Sequence, residues 1–157
     1  MSQTLTATKG DTAQLGYKRI LVGYDGSNNS DRALVRAIAL AKGQGAALRI
    51  LVAVNTVLPV YSPISTTVPE SAIDQIIQDG KDALAKAMNK AKLELDDVSG
   101  VLQDGHAADE LIGYASENGI DLIVLGRRGV SAMERFLLGG VSSSVVSHSK
   151  CDVLIVK

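Results

Sequence analysis

Asp121-Leu122-Ile123-Val124-Leu125-Gly126-Arg127-Arg128-Gly129 decides how this chain is to be read. The run from Leu122 to Leu125 is too short for a helix and lacks the polar alternation of a strand with one wet face. It therefore reads as a strand covered on both sides, a feature of parallel sheets. Gly126 and Gly129 then allow the backbone to turn closely. Residues 20–22, 48–54 and 153–156 have the same apolar character, and a weaker run, 98–103, lies between Val54 and Leu122.

Each interval between these runs carries a helical pattern. The polar cluster Gly26-Ser27-Asn28-Asn29-Ser30 offers N-caps to a first helix, whose inward stripe is Ala33, Leu34, Ala37, Ile38 and Ala41 and whose end is expected at Gly43 and Gly45. A second helix is expected over 70–95, with Ile73, Ile76, Ile77, Leu84, Ala87, Met88 and Ala91 inward. Gly80 inside it costs about 1 kcal/mol against alanine, so packing must hold that turn. A third helix, 107–117, buries Ala108, Leu111, Ile112 and Ala115 and stops near Asn118-Gly119. The last helix has no clear bounds in the sequence. The order is β-α-β-α-β-α-β-α-β, and parallel strands joined by right-handed crossovers give an α/β fold: an open, doubly wound, five-stranded parallel sheet with helices on both faces.

A length of 157 residues fits one domain, expected over 17–157 behind a flexible N-terminal arm, 1–16. Apolar residues at 46% and charged residues at 21% exclude a disordered or fibrous chain. A net charge of -1 supplies no broad electropositive surface, so nucleic acid is not an expected partner. The arm has no apolar stretch of the signal-peptide kind, and nowhere do about 18 apolar residues run together, so neither export nor membrane insertion is expected. Cys151 is alone, excludes an intrachain disulfide and agrees with a reducing compartment; the expected location is cytoplasmic. Cys151 itself reads as a small buried apolar residue. Pro59, Pro63 and Pro69 all fall in 57–69, a loop that reads either as a lid or as a passive connection.

Ligands of open α/β sheets settle beyond the carboxyl ends of the strands, where crossovers diverge to opposite faces. Two loops there stand out: Gly23-Tyr24-Asp25-Gly26-Ser27, and Gly126-Arg127-Arg128-Gly129, which continues over nine residues to Gly139-Gly140-Val141-Ser142-Ser143-Ser144. The spacing is Gly-x2-Gly-x9-Gly. Glycines let a main chain approach a phosphate without a Cβ in the way, and the amides opening the next helix supply donors at the favourable end of its dipole. Ser142 and Ser143 add hydroxyls. Asp25 alone would read as a cap of its turn. No Gly-x4-Gly-Lys-(Ser/Thr) loop and no lysine with a partnered carboxylate for phosphoryl transfer is present, so strong catalysis is not expected. His106 and His148 lack metal-ligand spacing, and no metal site is expected.

With these motifs the chain resembles the nucleotide-binding subgroup of the universal stress protein family over roughly 18–157. The family pattern is Gly-x2-Gly-x9-Gly-(Ser/Thr), with an early strand ending Val-x-x-Asp, matched by Val22-Gly23-Tyr24-Asp25. The resemblance implies the strand order 3-2-1-4-5 of a Rossmann-like, adenine nucleotide alpha hydrolase-like fold. It also implies an ATP site, with or without Mg2+: Asp25 near adenine and ribose, Val54 against the base, and Gly126, Gly129, Gly139, Val141 and Ser142 around ribose and phosphates. Gly140 departs from the pattern, which has serine or threonine there. Losing one hydroxyl contact to a charged group, about 1.5–3 kcal/mol, weakens binding roughly tenfold or somewhat more. Arg127 and Arg128 read either as compensating phosphate contacts or as solvated surface groups.

The resemblance further implies a homodimer formed through the C-terminal strand, although Asp152 stands where proline is frequent in relatives. Three functions follow: an ATP-binding regulatory, stress-response protein whose occupancy modulates an unknown protein partner; a slow ATPase; or a dimeric interaction module without nucleotide. The Ser-Gly-Gly-x-Asp-Ser loop of ATP pyrophosphatase relatives is missing.

Overall fold

The structure, a computed structural model, describes residues 16–56, 70–128 and 139–157. The expected arm before Gly16, the 57–69 loop and Gly129 lie outside the described residues. The elements are β1 (Arg19–Gly23), α1 (Asn28–Gln44), β2 (Ala47–Val54), α2 (Glu70–Lys92), β3 (Val98–Asp104), α3 (Ala107–Glu117), β4 (Leu122–Gly126), α4 (Gly140–His148) and β5 (Asp152–Val156). They form one sheet in the order β3-β2-β1-β4-β5 with every pair parallel, as expected.

Strand side chains alternate between faces, and this divides the core in two. Ile20 and Val22 of β1 point to one face, with Leu48, Ile50 and Val124, and are covered by Leu34, Ala37 and Ala41 of α1 and Ala87 and Ala91 of α2. Leu21, Leu51, Ile123 and Leu125 point to the other, beneath Ala108 and Leu111 of α3 and Val145 of α4. The registers Ile20↔Leu122 and Val22↔Val124 keep like faces together. Each fully buried leucine or isoleucine contributes about 1.5–3 kcal/mol relative to exposure.

Helix α1 starts because the Ser27 hydroxyl accepts the Ser30 amide at 3.1 Å. It ends at Gly45, whose φ of 65° lies in the left-handed region. Gly43 plays no part in that ending and remains inside the last helical turn. Helix α2 ends at Lys92, short of the expected residue 95. Gly80 now has a reason, because a Cβ there would lie 2.5 Å from Val54 Cγ1 and 2.9 Å from Leu102 Cδ1. The helix loses propensity at that turn and gains close approach to β2 and β3. Gly100 makes the same allowance from the sheet side, where a Cβ would meet Leu84 and Met88 of α2. Cys151 is half-buried rather than buried, with Ser149 Oγ 3.3 Å from its sulfur.

Candidate functional site

The adjacent strands β1 and β4 send their chains to opposite faces: α1 packs with one core cluster, and α4 with the other. The carboxyl ends of β1 and β4 therefore flank the switch point of the sheet. Two glycines let the walls close there. A Cβ on Gly23 would stand 2.5 Å from Leu125 Cδ2 and 3.2 Å from Leu111 Cδ1. A Cβ on Gly126 would stand 2.7 Å from the backbone carbonyl carbon and oxygen of Asn29, so the first turn of α1 rests directly on the end of β4.

The resulting pocket is lined by Gly23, Tyr24, Asp25, Gly126, Arg128, Val141 and Ser142, all expected site residues. The described residues of the two glycine loops thus lie side by side, which follows from the pairing of β1 with β4. Its apolar wall comes from residues that the sequence does not mark as site residues, Leu51, Ala53, Ala107, Leu111 and Leu125, with Ser30 on the α1 side. Among the described residues, Val22, Val54, Arg127, Gly139, Gly140 and Ser143 do not line it. Val22 is fully buried in the core shared with α1 and α2, and Val54 turns its Cγ1 toward Gly80 of α2. The pleat explains the exchange of Val54 for Ala53. Gly23 is level with Leu51 in the β1–β2 register, so Leu51 and Ala53 share the crevice face while Val52 and Val54 take the other. That two-residue period was the signal available in the sequence.

The first turns of α1 and α4 both border the pocket, through Ser30 and through Val141 and Ser142. Each helix start carries amides without intrahelical acceptors and the positive end of a dipole. At α4 the N-cap is Gly139, which offers no side-chain acceptor to those amides. Its own amide donates to the Arg127 carbonyl at 2.9 Å, and the Arg127 amide in turn donates to the Val156 carbonyl at 2.9 Å, so the main chain on either side of the helix start is pinned to β5. Arg127 therefore contributes backbone to the frame, while Arg128 reaches the pocket wall. Gly140 is exposed, and a Cβ there would meet nothing within 4 Å.

Ser142 is buried, and its hydroxyl donates to the Gly126 carbonyl at 2.9 Å. In this arrangement its one proton clamps α4 to the end of β4 and is not offered to a ligand. Asp25 Oδ1 accepts the Ser27 amide at 3.0 Å, which shapes the turn that Gly26, at φ 78°, completes. Tyr24 is buried, and its hydroxyl donates to Asp31 Oδ1 at 2.7 Å; Lys86 Nζ lies 3.3 Å from Asp31 Oδ2. Burial and the Asp31 carboxylate push the Tyr24 phenol up from its ordinary value, and the Tyr24 bond, followed by Lys86, holds the Asp31 carboxyl low. This network ties the β1–α1 loop to α2. The Thr56 amide and hydroxyl both donate to Asp104, fixing the residues after β2 against the end of β3 and lowering the Asp104 carboxyl. Among the described residues no group of three or more His, Cys, Asp and Glu side chains is placed to hold a metal.

These features define an open, doubly wound α/β protein with a glycine-walled crevice at its switch point. The chain belongs to the universal stress protein family, whose sequence model matches residues 16–157. Universal stress protein YxiE of Bacillus subtilis is 36% identical over 147 residues, spanning 90% of this chain and 99% of that protein. The solved structure of universal stress protein UspA from Lactobacillus plantarum superposes with a TM-score of 0.78 at 25% identity, covering 90% of this chain and 99% of that one. A universal stress protein crystallised in complex with cAMP superposes with a TM-score of 0.69 at 31% identity, covering 90% and 98%. No helix among the described residues is long and apolar enough to cross a membrane.

Proposed function

We propose that the protein is an ATP-binding regulatory member of its family, a homodimer in which nucleotide occupancy alters a surface read by a protein partner. The observation that carries this reading is the convergence of two helix starts on one crevice whose closest walls, Gly23 and Gly126, are bare main chain. Phosphate oxygens would take the α4 amides, Arg128 would face the same anion, and the wall of Leu51, Ala53 and Leu111 would receive the base. The cAMP bound by the 31%-identical relative supports an adenine nucleotide as the ligand class. The edge position of β5, which among the described strands pairs with β4 alone, supports pairing of two copies through that strand.

A second reading, a nucleoside monophosphate as the preferred ligand, is favoured by a specific observation. Gly140 has no hydroxyl, and that of Ser142 is committed to Gly126, so a long phosphate chain gains fewer donors here. The test is to purify the protein from its host, denature it, and identify the nucleotide released by chromatography, then follow added ATP over hours. Retained ATP with negligible turnover supports the first reading, and retained AMP or cAMP the second. Steady ADP production makes the protein an ATPase, and an empty site without calorimetric binding removes both readings.

A further inference from the structure

A shallow depression of about 450 Å³ crosses the outer face of α1, between the end of β5 and α2, and among the described residues shares none of its lining with the nucleotide crevice. Arg32, Val35, Arg36 and Ala39 form its α1 wall; Lys90 stands on the α2 side, and Val156 and Lys157, at the end of the strand proposed above as the partner contact of the dimer, close it at β5. The three-and-four spacing from Arg32 to Ala39 makes one outward stripe, about 10 Å long at 1.5 Å per residue, opposite the buried stripe of Leu34 and Ala37. Four exposed cations surround it in a protein whose net charge is -1. Among the described residues none of the four forms an ion pair. Asp31, the acidic side chain among the described lining residues, is already engaged by the Tyr24 hydroxyl and Lys86, and Lys90 also attracts it. Arg32 and Arg36, one turn apart, repel one another within the helix. Between them and Lys90 the surface is aliphatic, with Val35 51% exposed.

We infer that this depression docks an acidic, extended segment of a partner protein, with carboxylates on the four cations and an aliphatic side chain against Val35. Alternate residues of an extended chain fall on one face, about 6.6 Å apart at roughly 3.3 Å per residue, which matches one helical turn between Arg32 and Arg36. Charge complementarity selects an anion, and the aliphatic floor selects polypeptide over nucleic acid. Among the described residues no aromatic side chain lines the depression to stack a base, and four cations over this length are few for a phosphate backbone. Asp31 borders this surface and holds the Tyr24 hydroxyl of the nucleotide-side loop, so the two regions touch through one hydrogen bond.

The test uses fluorescence anisotropy at low ionic strength with fluorescein-labelled Glu-Leu-Glu-Leu-Glu and its neutral counterpart Gln-Leu-Gln-Leu-Gln. Saturable binding of the acidic peptide alone is expected, weakened about tenfold or more in Arg32→Glu/Arg36→Glu and unchanged in Lys81→Glu/Lys92→Glu, which carries the same change of charge elsewhere on the surface. Circular dichroism checks the fold, and Arg32→Gln/Arg36→Gln replaces the reversal if that variant unfolds. Absence of saturable binding, equal loss in the Lys81/Lys92 variant, or displacement of the peptide by an equal charge concentration of oligothymidylate or phosphatidylserine vesicles overturns the assignment.

Discussion

Replacing Gly126 with alanine adds a single methyl group, and its cost can be worked from where that group must go. The new Cβ would sit 2.7 Å from both the carbonyl carbon and the oxygen of Asn29, atoms of the α1 backbone that no rotamer change can move. Relief requires a shift of the first turn of α1, which is held by the Ser27 cap and carries Ser30 on the pocket wall. Overpacking of this kind costs about 1–3 kcal/mol. At about 2–4 °C per kcal/mol for a domain of this size, the melting temperature falls by about 2–12 °C. Gly43→Ala is the matched control: it lies in the last turn of α1 with nothing within 4 Å of its Cβ, and is expected to gain about 0.5–1 kcal/mol. Urea unfolding of both variants, with unchanged m-values, measures the two signs. Wild-type stability in Gly126→Ala would refute the packing of α1 against the end of β4, and with it the shape of the crevice.

Gly140→Ser places a hydroxyl in open space at the start of α4, and calorimetry is expected to read ATP affinity increased by up to about tenfold, a gain that an unrelated site would not show. Arg128→Ala weakens ATP binding severalfold while Arg127→Ala does not, because only Arg128 lines the pocket; equal losses in a titration of the two variants would contradict that division. Asp31 is held below its ordinary value of 3.8 in the folded protein, so its contribution is complete above that pH and is lost as pH falls through the lower folded value; Tyr24→Phe flattens the stability–pH curve in that acid window. Tyr24, raised above its ordinary 10.0, contributes stability that is complete below pH 10 and lost as pH rises through the higher folded value, an alkaline dependence that Tyr24→Phe also removes. Gly80→Ala raises helix propensity in α2 yet lowers stability in urea, since its Cβ would collide with Val54 and Leu102.

The strands β1, β2 and β4 were legible because burial on both faces leaves them almost wholly apolar, with Arg19 at the start of β1 and the half-buried Arg49 of β2 as exceptions. β3 read weakly because it is an edge strand whose Ser99 and Gly100 are exposed. The bounds of α4 were not legible: its opening Gly139-Gly140 has poor helix propensity, and its position is set by long-range bonds, Ser142 to Gly126 and Gly139 to Arg127. In the pocket, the glycines and Asp25 were legible because loops with special backbone needs announce themselves by residue type. The apolar wall was not, because Leu51 and Leu111 look like any core residue until strand register and the packing of α3 decide which of them face the crevice. Family resemblance pointed to Val54, whereas the pleat of β2 presents Ala53.

The central claim, that main-chain amides beside Gly126 and at the start of α4 hold a nucleotide phosphate, is tested most directly by titrating 15N-labelled protein with ATP and following the amide resonances. The account predicts saturable shifts concentrated at Gly23, Gly126, Gly140, Val141 and Ser142, with Arg32 to Ala39 little changed. Shifts confined to other surfaces, or none at millimolar ATP, would contradict it.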